Sequence, residues 1–102
     1  MQGSQLLSYY YILMGQIDKA VKVMEDAEQL DPLSPPVSQT LGFMYMFAMR
    51  YDDAIRQAEK LLEMNPQMRT SIELKGWAIG MKGDWETAIK FFEEVHRLTN
   101  HR

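Results

Sequence analysis

The sequence contains no cysteine. Disulfides, thiolate nucleophiles and the commonest structural zinc sites are therefore excluded, and the chain suits a reducing compartment, with the cytoplasm as the expected location. A positive excess is also missing: 11 lysines and arginines stand against 14 aspartates and glutamates, a net charge of −3. Without a broad basic field, nucleic acid is not an expected partner. Long hydrophobic runs are absent too. The longest mostly apolar stretches, Leu6 to Met14 and Leu41 to Met49, are nine residues each. A helix needs ~20 to cross a bilayer, so no membrane segment is expected.

The vocabulary of catalysis is equally thin. The only histidines are His96 and His101. Glu93, one turn before His96, completes a conceivable metal set, but such ligands at a helix terminus read as a solvated end. No glycine-rich phosphate loop follows a strand, and no nucleophile, base and orienter can be assembled. No enzymatic activity, cofactor or metal is expected. The opening residues MQGSQ lack the basic flank and apolar core of a secretion signal. Gly3-Ser4 is also what cloning leaves behind, and on that reading the chain is a piece of a longer one.

What the sequence does contain is a repeat. LGFMYMFAMRYDDAIRQAEKLLEMNP, from Leu41 to Pro66, aligns with Leu7 to Pro32 thirty-four residues earlier and with Lys75 to Asn100 thirty-four residues later. Within each copy an uncharged or nearly uncharged helical stretch precedes an amphipathic one. In the first, Ile17, Ala20, Val21, Met24, Ala27 and Leu30 recur at steps of three and four, with Asp18, Lys19, Lys22, Glu25, Asp26 and Glu28 between them on a wet face. Gly15 and Gly83 mark the corner inside two of the copies, and Met49 stands at the third. Asp31-Pro32 and Asn65-Pro66 stop the second helices, and Ser34-Pro35-Pro36 is a capping residue ahead of prolines that restarts the chain. The expected pairs run from residue 5 to 14 and Ile17 to Leu30, Val37 to Ala48 and Asp52 to Met64, and Arg69 to Lys82 and Asp84 to Leu98.

A fixed period of this length signals helix pairs that bury their faces mainly against their neighbours. Ser8, Gly42 and Gly76 are small where the two helices of one unit cross, Ala20, Ala54 and Ala88 are their partners on the second helix, and Tyr11, Tyr45 and Ile79 fill the space beside. Three units of thirty-four residues with these signatures resemble tetratricopeptide repeats. The resemblance implies an all-α, right-handed α-solenoid of three antiparallel helix pairs, one domain over 1–102 with repeats at about 1–34, 35–68 and 69–102. The sequence departs from the family pattern at Ser4, Ser38 and Ile72, where the family has tryptophan, and at Lys75, Met49 and Asn100. Residues 30 to 55 also resemble the arrays of bacterial regulatory proteins.

By the same resemblance, the first helix of every unit lines a concave groove that binds a protein or peptide. Tyr9, Ile12 and Leu13, with Gln5, reach it from the first unit. Gln39, Phe43, Met46 and Phe47 reach it from the second, and Glu73, Trp77 and Met81, with Gly80, from the third. Relatives that grip the acidic tail of heat-shock chaperones use cations on these helices, whereas the matching places here hold Gln5, Tyr9, Thr40, Thr70 and Leu74. An apolar or amphipathic segment is therefore the expected ligand. RNA-reading helical repeats are set aside because their grooves are basic. Phe91, Phe92, Val95 and Leu98 give the last helix an apolar side with no capping helix in this sequence, so self-association into a homo-oligomer, or a place within a longer array, is the alternative expectation.

Overall fold

The computed structural model describes residues 3–100, and its helices follow in the order α1 (Gly3–Leu13), α2 (Ile17–Leu30), α3 (Pro35–Phe47), α4 (Tyr51–Met64), α5 (Arg69–Met81) and α6 (Trp85–Asn100). No strand occurs among the described residues.

All three internal corners are built alike. Gln16, Arg50 and Asp84 each donate a backbone N–H to the carbonyl five residues back, Tyr11, Tyr45 and Ile79, at 2.8, 2.8 and 3.2 Å. Gly15, Met49 and Gly83 donate to Ile12, Met46 and Gly80 at 3.0, 3.0 and 2.8 Å. This is the paired bond that closes a helix through a left-handed residue. Gly15 and Gly83 meet the requirement freely, with φ of +75° and +110°, while Met49 takes φ of +61° with a side chain attached. Between units the stops act as expected. Asp31 and Asn65 close α2 and α4 by donating to Ala27 and Leu61, and the Ser34 hydroxyl accepts from the Val37 N–H at 3.4 Å at the head of α3.

Each helix packs on the next, and α1 also touches α3, as α3 touches α5. The backbones of the second helices α2, α4 and α6 do not approach one another, and α2 and α4 meet through the long side chains of Gln57 and Lys60, which reach Glu28. First helices that converge and second helices that splay define an array curved with α1, α3 and α5 on its inner side. The core runs through the stack: Ala20, Val21 and Met24 of α2, Leu41 and Met44 of α3, Ala54 and Ala58 of α4, and Leu74 and Ala78 of α5 are buried in one cluster. The small residues sit at the close crossings, though not all within one unit. A Cβ on Gly76 would lie 3.1 Å from Phe91 Cβ of its own unit. One on Gly42 would fall 2.5 Å from Leu74 Cδ2 of the following unit.

Candidate partner-binding surfaces

The inner wall is made by α1, α3 and α5, and the sequences of α1 and α3 carry no charge. Gln5 of α1 donates through Nε2 to the Thr40 hydroxyl of α3 at 3.0 Å and to the Pro36 carbonyl at 3.4 Å, tying the first two helices together on this side. Of the residues expected there, Ile12, Phe43 and Met46 are half-buried against the core, and Gln39 is half-buried on α3. Tyr9, Phe47 and above all Leu13, at 85% exposure, stand open to solvent. No ring pair joins Tyr9, Phe43 and Phe47 among the described residues, so these side chains are not spent on stacking with each other.

The third unit is arranged differently. Trp77 turns toward α6, meeting Trp85 edge-on at 5.8 Å between ring centroids and Phe92 at 5.4 Å. Glu73 and Trp77 then line a cleft of about 540 Å³ with Phe92, Val95, His96 and Thr99. Arg69 pairs with Glu73 along α5 at 3.8 Å. Met81 is about half exposed at the end of the helix. Gly80, expected in the groove, is buried under the Trp85 indole, where a Cβ would come within 2.3 Å of the ring. Leu74 is buried as well and packs at Gly42. Of the ten expected groove residues, seven therefore lie on the uncharged helices α1 and α3, Glu73 and Trp77 line a separate aromatic cleft between α5 and α6, and Met81 is outside that lining. Trp85 is the residue that sequence reasoning missed. Its place two residues after Gly83, opposite the small Gly80, is the signal that it folds back over α5.

Two carboxylates assigned to the wet face are instead acceptors at a seam. Glu25 accepts from the Tyr45 hydroxyl at 2.8 Å, and Glu28 accepts from Ser38 Oγ and Lys60 Nζ at 3.1 Å each. Burial of the phenol, reinforced by the Glu25 hydrogen bond, pushes the Tyr45 pKa up to about 12. At the second seam Lys75 pairs with Glu59 at 3.3 Å and lies over the Phe91 ring at 5.4 Å, so the cation in the usual leucine position is satisfied at its tip and packed along its stem.

Of the conceivable metal set, His101 lies outside the described residues, while Glu93 and His96 are exposed on α6. No described helix is long and apolar enough to cross a membrane.

A family model described as tetratricopeptide repeat matches residues 3–32. The BBSome complex member BBS4 of Bos taurus is 24% identical over 90 residues, which is 88% of this chain and 17% of that protein. The chain thus spans less than a fifth of this curated relative. Among solved structures, MamA (AMB-1) superposes with a TM-score of 0.83 at 20% identity, covering 97% of this chain and 59% of the other. The first such repeat domain of Spaghetti (RPAP3), bound to the HSP90 peptide SRMEEVD, superposes with 0.82 at 18% identity, covering 97% and 79%. At these identities the two structures establish a shared fold.

Proposed function

Because the chain is a tetratricopeptide-repeat array, we propose that it is a protein-interaction scaffold whose inner wall receives an apolar or amphipathic peptide segment. The observation that carries this reading is the set of open side chains Tyr9, Leu13 and Phe47 on a wall without charge on α1 and α3. Apolar surface of this kind gains from being covered, at about 25 cal/mol per Å² before the costs of association. The RPAP3 domain of the same fold takes the peptide SRMEEVD, which carries two glutamates and ends in aspartate. In this chain Gln5 and Thr40 bond to each other and Leu74 is buried, so no cation waits for a carboxylate at the corresponding places. The ligand is therefore apolar where that peptide is acidic.

Selection of peptides from a phage-displayed random library on the immobilised chain tests this. The expected pool carries apolar residues at helical spacing and loses at least roughly tenfold in affinity against Phe47→Ser. Peptides with acidic carboxyl termini, or binding unchanged by Phe47→Ser, would contradict it.

A second reading is a segment of a larger, regulatory protein of the bacterial kind, in which groove and ends join subunits or neighbouring repeats. The exposed apolar face of α6 favours it.

A further inference from the structure

Equivalent repeat positions differ in burial between the middle of the array and its two described ends. Leu41 and Met44 of α3 are fully buried, while Leu7 and Tyr10, thirty-four residues earlier on α1, are 43% and 53% exposed. Unit two has a second helix before it and unit one has none among the described residues, so these positions face the preceding helix. The other end is complementary. Val21 of α2 is 4% exposed beneath α3, yet Ile89, at the same position of α6, is 53% exposed. Met24 and Ala58 are fully buried, whereas Phe92 at their position is only half-buried.

The two ends also match by sequence. Ser4, Gln5, Leu7 and Tyr11 of α1 are identical to Ser38, Gln39, Leu41 and Tyr45 of α3, and α5 shares none of them. On the other side, Lys90 of α6 repeats Lys22 of α2 where α4 has Arg56, Ala88 and Glu93 repeat Ala20 and Glu25 as Ala54 and Glu59 of α4 also do, and the place of Glu28 holds His96. The ends thus carry the tyrosine and glutamate of the α2–α3 seam on separate faces, Tyr11 on α1 and Glu93 on α6, without a counterpart of Glu28. From this we propose that α6 of one molecule receives α1 of a second copy in the register in which α3 sits on α2. The inference rests on the second reading of function and is independent of the peptide groove. Leu7 and Tyr10 cover Ile89 and Phe92, and the Tyr11 hydroxyl donates to the Glu93 carboxylate as Tyr45 donates to Glu25. Each molecule uses two different surfaces, so the association is head-to-tail and extends into rings or filaments rather than stopping at a two-fold dimer.

Sedimentation velocity over a concentration series, with Tyr10→Glu blocking one end and Ile89→Glu the other, tests the proposal. The unsubstituted chain is expected to grow in size with concentration past the dimer, and each variant alone to sediment as a monomer. An equimolar mixture of the two variants should form a one-to-one dimer and nothing larger, which also shows that both variants fold. Tyr11→Phe and Glu93→Gln should each weaken association by about tenfold, with no further loss when combined. A monomeric unsubstituted chain at all concentrations, as expected if the face instead takes another protein, overturns the proposal. So does a variant that still oligomerises alone, or a mixture that stays monomeric. None of these substitutions touches Tyr9, Leu13 or Phe47, so failure here leaves the groove reading standing.

Discussion

The two seams that hold the array together occupy the same repeat positions and are built from different forces. At the first, the Ser38 and Tyr45 hydroxyls of α3 donate hydrogen bonds to Glu28 and Glu25 of α2. At the second, the positions of Ser38 and Tyr45 carry Ile72 and Ile79, and that of Glu28 carries Leu62. Leu74 fills the gap left by Gly42 instead, and the Lys75 ammonium there pairs with a Glu59 carboxylate that is half exposed. Buried polar groups bring directionality and a penalty if either partner is lost, whereas apolar contact brings burial without a matching requirement. The first seam therefore specifies its partner helix, and the second mainly adds cohesion.

The largest effect should come from the second seam. Leu74→Ala leaves a hole opposite Gly42 in the fully buried cluster and should lower unfolding stability by about 3 kcal/mol, measured by chemical denaturation. Glu28→Ala at the first seam strands the buried Ser38 hydroxyl and releases Lys60, and a loss of about 2 kcal/mol is expected. Converting that seam to the other type, with Ser38→Ile added to Glu28→Leu, should recover more than half of what Glu28→Leu alone loses. Additive losses would show that the two seams are not interchangeable designs.

The corners sharpen the comparison between units. Met49→Gly removes a side chain from a left-handed position that its two counterparts fill with glycine, and the exposed methionine contributes little there. A gain of about 1 kcal/mol is expected in the same denaturation assay. The smallest effect is a pH dependence confined to the first seam. Tyr45 has its folded pKa raised from 10.0 to about 12. Its contribution is present below pH 10 and is lost as pH climbs toward 12, because the unfolded chain releases the proton first. Thermal melts of Tyr45→Phe should fall less steeply than those of the unsubstituted chain across that window.

Much of this was legible in the sequence. Helix bounds lie within a few residues of those expected, because the period, the prolines and Gly15 and Gly83 mark every corner. Met49 adopts the same corner without glycine, and only the repeat could foretell it. The candidate site was legible in part. Which residues occupy the first helices follows from position, but the direction of Trp77 depends on the room left beside Phe92 on α6 and on the Trp85 ring closing over Gly80. Glu25 and Glu28 looked like solvated charges because periodicity within one helix cannot reveal a hydroxyl presented by the next. Only the pairing of units makes them acceptors.

The central claim is that stacking on neighbours, rather than the strength of any one helix, holds the array together. Amide hydrogen exchange in the Ile89→Glu variant, whose α6 face is blocked, tests it most directly. Protection should peak in α3 and α4, which have a neighbour on each side, and fall toward both α1 and α6. Exchange as slow in α1 and α6 as in α3 and α4 would contradict it.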